Sequence, residues 1–351
     1  MEKRAARAHR VARPVAVILL LAAISSRSEA QFQLGISKVA MVAAPFLEIG
    51  VGARAIGMGG AFVATANDAT ALYWNPAGLP RLSRPEAVFV HTNWIADTRL
   101  DFAGGILPLG RWGSLGASVT SLSMDDMRVT TVEMPGGTGE YFSAGDLALA
   151  VSYGFSVTDR FSIGFTGKYI YEHIWKESAW AVALDLGTLF VTDFHGLRIG
   201  AALTNFGTDM RLTGKDLLVY HDISPTKYGN NERIFADLHT DAWPLPLTFQ
   251  AGVAMEILRS ERQRLTLAAD AVHPSDNTES VHLGAEWAWR DWVALRVGYH
   301  NLFLRDSEEG LTAGFGVTQR MLGNVMLKFD YAWADFGRLS GVQRVSLGIV
   351  F

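Results

Sequence analysis

Residues 146–157 read DLALAVSYGFSV, and every second side chain in this stretch is large and apolar. The side chains between them are Ala, Ser and Gly. A period of two is that of a β-strand, whereas an amphipathic helix repeats every 3.6 residues. The same alternation recurs in residues 293–300 (VALRVGYH) and 325–333 (VMLKFDYAW), where the charges fall opposite the large apolar side chains. The pattern therefore predicts strands with one apolar face and one face of small and polar residues.

Turn residues separate fourteen such segments between residue 86 and the C-terminus. Many connections are short, as in periplasmic turns of outer-membrane barrels, whereas two long ones at 123–143 and 207–244 suit extracellular loops. An even number of strands places both chain ends on the periplasmic side. The predicted strands are 86–95, 99–108, 112–122, 144–156, 160–173, 178–191, 196–206, 245–257, 263–273, 279–289, 292–301, 310–318, 324–334 and 342–351.

The second strand face separates a membrane barrel from the alternatives, a soluble β-sandwich or soluble barrel. In a soluble sheet that face meets water and is rich in charged residues and Thr. Here it is mostly Gly, Ala, Ser and Thr with single charges, and the chain ends on an alternating apolar series that finishes at Phe351. These patterns predict an all-β, 14-stranded antiparallel transmembrane β-barrel over residues 85–351. Aromatic residues near strand ends, as in interfacial girdles, are Trp94, Trp112, Tyr171, Trp180, Trp289, Trp292 and Trp333.

The first thirty residues predict export. A basic stretch from Lys3 to Arg13 precedes an apolar run over residues 14–24, and small residues follow at Ser28 and Ala30. This pattern is typical of a secretory signal peptide cleaved near Ala30, so we expect the protein in a Gram-negative-type outer membrane. The alternative is a membrane anchor, but the run is shorter than the ~20 residues that a spanning helix requires.

Composition and motifs exclude several classes of function. The 351 residues include no Cys, which excludes disulfides and thiolate metal sites. The net charge is -4 and the basic residues are scattered, so we expect no nucleic-acid partner. Catalytic signatures such as G-x-S-x-G and H-E-x-x-H are absent from the sequence. We therefore predict a protein that is not an enzyme and has no catalytic residues, metal or cofactor.

Residues 45–82 do not alternate like the strands. Glycines permit tight turns, Asp68 can cap a short helix over residues 69–74, and Asn75 to Gly78 form a turn. We interpret residues 31–84 as an N-terminal segment that includes a small plug, with a short helix, inside the barrel lumen. The plug motif consists of Gly57, Gly59, Gly60, Asp68, Trp74, Asn75, Pro76 and Gly78.

Two stretches of this region carry a family resemblance. Residues 50–62 (GVGARAIGMGGAF) and 68–79 (DATALYWNPAGL) resemble the N-terminal signature of the PorV/PorQ family of outer-membrane proteins, which is related to FadL-type transporters. The resemblance implies a fourteen-stranded barrel with an N-terminal plug. In PorV-like members it further implies a scaffold or shuttle role in type IX protein secretion, with secretion-system proteins or cargo as partners. A FadL-like member would instead transport hydrophobic small molecules such as fatty acids.

Charged residues on the predicted lumen face have two interpretations. Charges inside a membrane protein normally need partners, so the residues can form a network that braces the barrel and anchors the plug. Alternatively they line a polar pathway or a ligand site. The predicted lumen polar network comprises Lys168, Asp185, Arg198, Asp270, Glu286, Arg296, Lys328 and Asp330, with further lumenal charges at Glu256 and Arg344 and imidazoles at His282 and His300.

Other features suggest partners. Phe351 resembles the C-terminal signal by which the barrel-assembly machinery recognises its clients, and the outward faces predict contact with outer-membrane lipids. A hydrophobic ligand would need an apolar pocket, for which the plug offers Phe62, Leu72, Tyr73, Trp74 and Leu79; packing against the wall is the alternative. The aromatic residues of loop 207–244 suit contact with a partner or folding over the barrel mouth.

Overall fold

A computed structural model describes residues 41–224, 226, 233–304, 307–321 and 323–351. The predicted signal peptide and its cleavage site lie outside the described residues. Fourteen antiparallel strands form a closed barrel in which each strand pairs with the next along the chain and the first pairs with the last. The strands are β1 (Glu86–Asn93), β2 (Arg99–Pro108), β3 (Ser114–Ser123), β4 (Ala144–Ser156), β5 (Phe161–Ile174), β6 (Glu177–Val191), β7 (Arg198–Gly207), β8 (Thr248–Arg259), β9 (Gln263–Pro274), β10 (Ser280–Trp289), β11 (Val293–Leu302), β12 (Leu311–Arg320), β13 (Met326–Ala334) and β14 (Val342–Val350).

The predicted all-β, fourteen-stranded antiparallel barrel is confirmed, and the fourteen predicted strands correspond one to one with the observed strands. Four strands, β3, β7, β8 and β13, begin two or three residues later than predicted. Strand β3 begins at Ser114 because a 3-10 turn, Gly110–Trp112, precedes it. Strand β8 begins at Thr248 because Pro244 and Pro246 lack the N–H that a sheet ladder requires.

Strand alternation sorts the side chains onto two faces. In β4, Leu149 and Val151 are 47% and 63% exposed on the outside, whereas Ala148 and Ala150 are 4% and 9% exposed on the inside. Every strand contributes exposed apolar residues to the outer wall, as a membrane barrel requires. The outward series includes Phe89, Leu107, Leu115, Val151, Phe165, Leu184, Ile199, Val253, Leu267, Leu283, Leu295, Phe315, Leu327 and Leu347.

The connections divide the barrel into two ends. One end, here called the turn end, contains the connections 109–113, 157–160, 192–197, 260–262, 290–292 and 321–325 together with the C-terminus. The opposite end, the loop end, contains the two long connections. The short connections that the sequence predicts as periplasmic turns therefore all lie at the turn end. One further tight connection, Trp175 to Lys176, lies at the loop end, where Trp175 adopts a positive φ of 52°.

The long loops carry short strand pairs of their own. Met127–Arg128 pairs with Tyr141–Phe142, and Leu218–His221 pairs with Ile234–Asp237. Met210–Arg211 pairs with Ala242–Trp243, and Thr213–Gly214 adds to the end of β6. These pairs give the loop end ordered hairpins beyond the barrel.

Residues 41–82, here called the lumenal segment, lie within the barrel. They form two short helices, α1 (Ala53–Gly57) and α2 (Ala71–Trp74), and two 3-10 helices, Pro45–Glu48 and Pro76–Arg81. The predicted helix therefore starts two residues later than expected. No helix in the described part of the chain is long and apolar enough to cross a membrane.

One aromatic residue of the predicted girdle faces inward. The rings of Trp94 and Phe336 are 5.2 Å apart, and Trp94 packs against the buried core. Trp94 continues the inward series of Glu86, Val90 and Thr92, so its direction follows the alternation of β1 one residue beyond the end of that strand. Trp112, Trp180 and Trp292 are each more than 60% exposed, as a lipid-facing position requires.

Candidate functional site

The lumenal segment is fixed by hydrogen bonds to its own backbone and to the wall. Trp74 Nε1 donates to the carbonyl of Val51 at 2.8 Å, and the Tyr73 hydroxyl donates to the carbonyl of Leu47 at 2.9 Å. The Ala53 N–H donates to Ser346 Oγ at 2.8 Å, which ties the start of α1 to β14. A buried chain segment needs such partners because its polar groups have lost water.

Close packing against the wall depends on glycine. Gly59 has a φ of 65° and passes β11 so closely that a Cβ built on Gly298 would lie 2.2 Å from the Gly59 nitrogen. A Cβ on Gly284 of β10 would lie 2.4 Å from the carbonyl oxygen of Met58. The small residues on the inner face are therefore the surface on which the lumenal segment rests.

The second half of the plug motif is organised by two polar side chains. Asp68 Oδ1 accepts from the Thr70 N–H at 2.9 Å, so it stabilises the turn before α2 rather than capping the helix directly. Asn75 Oδ1 accepts from the Ala77 N–H at 3.0 Å and thereby caps the 3-10 helix that begins at Pro76. Asn75 Nδ2 also donates to the carbonyls of Val63 and of Thr188 in β6.

Gly57 and Gly78 are further points of close approach. A Cβ on Gly78 would lie 2.1 Å from the Ala66 carbonyl oxygen, and one on Gly57 would lie 3.3 Å from Arg296 Cβ. Gly60 lies beside His282 and His300, whose rings are 4.0 Å apart. The plug motif thus forms one packed unit with residues of several strands.

Ion pairs join the lumenal segment to the wall near the turn end. Glu286 of β10 accepts from Arg54 Nε at 2.9 Å, Arg264 Nη1 at 3.1 Å and Arg296 Nε at 2.8 Å. Arg296 Nη1 also donates to Asp330 at 2.6 Å. We call Arg54, Asp68, Arg264, Glu286, Arg296 and Asp330 the turn-end network.

Within this network Arg54 also reaches Asp68, with Nη1 to Oδ2 at 2.8 Å. Burial alone would raise the pKa of Asp68, but Arg54 and Lys328 hold it below its ordinary value. Both ends of the Arg54 guanidinium are therefore bound to carboxylates. The buried charge of Arg54 is tolerated because Glu286 and Asp68 both supply an opposite charge.

The other predicted polar residues form separate contacts. Lys168 Nζ lies 2.8 Å from Asp185 Oδ2, and Arg198 Nη2 lies 3.9 Å from Glu256. Asp270 accepts from the Val63 N–H at 2.9 Å and so anchors the lumenal segment to β9. Lys328 pairs with Glu86 at 2.9 Å rather than with a member of the predicted set. The structure thus places all eight residues on the inner wall, but in five groups.

Sequence reasoning missed Arg54, Glu86 and Arg264 as members of these groups. Arg54 had a detectable signal, since it is the only charged residue between Glu48 and Asp68. A single charge in an apolar, lumenal stretch requires a carboxylate on the wall. Glu86 and Arg264 lie near strand ends, where a charge is usually solvated, so the pattern alone does not identify their partners.

Two cavities lie on opposite sides of the lumenal segment. The turn-end cavity, about 290 Å³, is lined by the turn-end network together with Glu86 and Lys328. The loop-end cavity, about 640 Å³, is lined by Glu48, Tyr73 and Trp74 of the segment and by strand and loop residues such as Lys168 and His300. Phe62, Leu72 and Leu79 are instead fully buried in packing contacts.

The loop-end cavity contains carboxyl groups with unusual protonation. Burial raises the pKa of Glu48 to about 8, and the neighbouring Asp276 and Glu309 add to the shift. Burial acts in the same direction on Glu309, but a hydrogen bond from His300 outweighs it and lowers the pKa of Glu309. His300 Nδ1 lies 2.5 Å from Glu309 Oε2, and Asn301 Nδ2 donates to the same oxygen.

A closed barrel with an apolar outer wall, small residues inside and a chain segment across its lumen defines the class of outer-membrane β-barrels. The family model of the type IX secretion system protein PorV matches residues 33–198. The predicted resemblance to the PorV/PorQ family is therefore confirmed. No curated protein matches the sequence.

Solved structures share the fold. The toluene transporter TbuX of Ralstonia pickettii aligns with a TM-score of 0.52 and 13% identity over 86% of this chain and 97% of the transporter. The toluene transporter TodX of Pseudomonas putida aligns with a TM-score of 0.51 and 13% identity, covering 86% of this chain and 96% of TodX. The predicted similarity to the fold of FadL-type barrels is thereby confirmed, and the barrel fold together with the match to the PorV model indicates an outer-membrane protein.

Proposed function

We propose that this protein is a PorV-like scaffold or shuttle of type IX protein secretion in the outer membrane. The match to the PorV family carries the proposal, because it includes the lumenal segment from residue 41 onward and the barrel through β6. That part of the chain contains the signature residues and the first long loop. Its role would be to bind secretion-system proteins or cargo rather than to catalyse a reaction.

The loop end supports an interaction role. Its hairpin of Leu218–His221 and Ile234–Asp237 exposes Tyr220 and Phe235, each 66% exposed, with ring centroids 4.8 Å apart. Grouped exposed apolar side chains of this kind mark sites of protein contact. Tyr and Phe are also among the residue types enriched at protein interfaces.

The turn-end network supports a fixed plug. Three arginines share Glu286, and one of them, Arg54, belongs to the lumenal segment. Moving the segment out of the lumen would separate Arg54 from Glu286 and so break a buried ion pair, which is costly. We therefore infer that the segment remains in the lumen while the loops bind partners.

Co-purification from outer membranes tests the proposal. The tagged protein should recover type IX secretion components or cargo with a C-terminal sorting domain. The double variant Tyr220→Ser, Phe235→Ser should lose this recovery, whereas Val132→Ser, at a position 95% exposed in another loop, should retain it. Recovery that is equal for both variants, or absent for the wild type, would contradict the proposed role.

A second candidate function is FadL-like transport of a hydrophobic molecule. The observation that favours it is the loop-end cavity of about 640 Å³, which lies between the loops and the aromatic residues Tyr73 and Trp74. The fold shared with two toluene transporters is compatible with it. Recovery of a bound lipid or hydrocarbon, without secretion components, would favour transport over the scaffold role.

A further inference from the structure

A smaller cavity at the loop end, about 210 Å³, lies beside the large one against strands β12 to β14. Its walls are mainly apolar and include Ile49 and Ile56 of the lumenal segment together with Trp94 and Phe336. Arg344 of β14 also lines it. A guanidinium in an apolar pocket of this size requires an explanation.

Arg344 is only 2% exposed, and its guanidinium lies over the Trp94 ring, 5.3 Å from the centroid. Its Nε and Nη1 atoms are buried and have no hydrogen-bond partner among the described residues. A buried donor without an acceptor costs roughly 1–3 kcal/mol, and more when the group is charged. The arginines of the turn-end network differ, since Arg54, Arg264 and Arg296 all donate to Glu286.

The carboxyl groups of the cavity do not supply the missing acceptors. Glu309 is occupied by His300 and Asn301, each at 2.5 Å. Burial raises the pKa of Glu48 to about 8, so this group is largely uncharged at neutral pH. Asp335 Oδ1 accepts from the Gly337 N–H at 3.1 Å. The cationic donors therefore face a cavity whose remaining surface is aromatic and aliphatic.

We propose that this cavity binds a small organic carboxylate whose carboxylate accepts hydrogen bonds from Arg344. The aromatic or short aliphatic body of the ligand packs against Trp94, Phe336 and Ile49. The ligand carboxylate supplies the hydrogen-bond acceptors that Nε and Nη1 lack, and charge-assisted hydrogen bonds of this type are the strong ones. The inference goes beyond the proposed function, because such a site can serve a scaffold or a transporter.

Binding of three similar molecules to the purified full-length protein in detergent tests the charge requirement. Benzoate should bind saturably in equilibrium dialysis, toluene at least tenfold more weakly, and benzylammonium without saturation. Equal affinity for benzoate and toluene would mean that only the apolar wall matters. Preferential binding of benzylammonium would assign the site to Glu48 and Glu309. Either result would overturn the proposal.

Two variants test the position of the site. Arg344→Gln should lower benzoate affinity at least tenfold, whereas Arg111→Gln should leave it unchanged; Arg111 also lies over a tryptophan, Trp112, but at the exposed turn end. Ile49→Trp should fill the cavity and abolish binding while Arg344 is retained. Heat-modifiable gel mobility shows that each variant is folded. Unchanged benzoate affinity in folded Arg344→Gln or folded Ile49→Trp would show that benzoate does not bind in this cavity, which would overturn the proposal.

Discussion

The turn-end network around Glu286 and the loop-end cavity around Arg344 contain similar residue types but use them differently. At the turn end, Arg54, Arg264 and Arg296 converge on Glu286, and Lys328 pairs with Glu86. At the loop end, Arg344 has nitrogens without partners. Two cavities border that end, and a third lies at the turn end within the ion-pair network.

This difference separates anchoring from binding. Complete pairing of buried charges holds two parts of a structure in one arrangement, since breaking a pair leaves an uncompensated charge. Incomplete pairing beside a cavity leaves groups available for a ligand. We therefore interpret the turn end as the anchor of the lumenal segment and the loop end as the side that meets partners and ligands.

Removing the central carboxylate of the anchor should give the largest effect. Glu286→Gln leaves three guanidiniums without their shared anion, so we expect a loss of about 3–5 kcal/mol in the free energy of unfolding. Thermal unfolding in detergent, followed by the heat-modifiable shift on gels, measures the change. The lumenal segment should also become more accessible to protease, because Arg54 loses its wall contact.

An exposed carboxylate provides the control for this anchor. Asp193 pairs with Arg160 at the turn end, but its side chain is 75% exposed, so Asp193→Asn should cost at most about 1 kcal/mol. Equal destabilisation by Glu286→Gln and Asp193→Asn would contradict the anchoring role of Glu286, because a buried ion pair would then contribute no more than a surface pair.

Crowding the wall beneath the lumenal segment should have the next largest effect. A Cβ in Gly298→Ala would lie 2.2 Å from the Gly59 nitrogen, so the segment must shift, at a cost of about 1–3 kcal/mol. Conductance of reconstituted barrels should rise if this contact seals the lumen. Gly167→Ala in β5 is the matched control, because a Cβ there meets nothing within 4 Å. Unchanged conductance in folded Gly298→Ala would contradict a sealing role.

The loop end should respond to pH through Glu48. Burial raises the pKa of Glu48 from 4.5 to about 8, so the folded protein keeps a proton that the unfolded chain loses across this range. The free energy of unfolding should therefore fall as the pH rises from about 4.5 to about 8. The hydrogen-exchange protection factors of residues 45–50, which are corrected for the intrinsic pH dependence of exchange, should fall over the same window. Glu48→Gln should flatten both profiles; a slope that persists in this variant would assign the effect to another group.

The barrel could be predicted from the sequence because its signal is local. Alternation in stretches such as residues 146–157 directly reflects which side chains face lipid, so all fourteen strands followed from it. The NPAG turn could also be identified, since Asn and Pro act on their own neighbours. The inward position of Trp94 also follows from this signal, because Trp94 continues the inward series of Glu86, Val90 and Thr92; its place near a strand end alone had suggested the girdle.

The partners within the lumen could not be derived in the same way. Glu286 and Arg296 were assigned to the inner face by period two, but the pairing of Glu286 with Arg54 joins residues 232 positions apart. Strand alternation specifies a face and not a neighbour across the lumen. The unpartnered state of Arg344 likewise depends on the path of the lumenal segment, which no periodic pattern describes.

The smallest expected effect compares one tryptophan from each end. Trp94 at the loop end and Trp112 at the turn end each lie under a guanidinium, at 5.3 Å from Arg344 and 4.9 Å from Arg111. A cation–π contact contributes about 0.5–1 kcal/mol when exposed and about 2 kcal/mol when desolvated, and a Phe ring gives less of it than Trp. Trp94→Phe should therefore lower the free energy of unfolding by about 0.5–1 kcal/mol, whereas Trp112→Phe, at a 65% exposed position, should change it less. Parallel thermal unfolding of the two variants measures the difference. Equal shifts would mean that Arg344 gains no more from the Trp94 ring than Arg111 gains from the exposed Trp112 ring. The burial of Arg344 would then need another source of stabilisation.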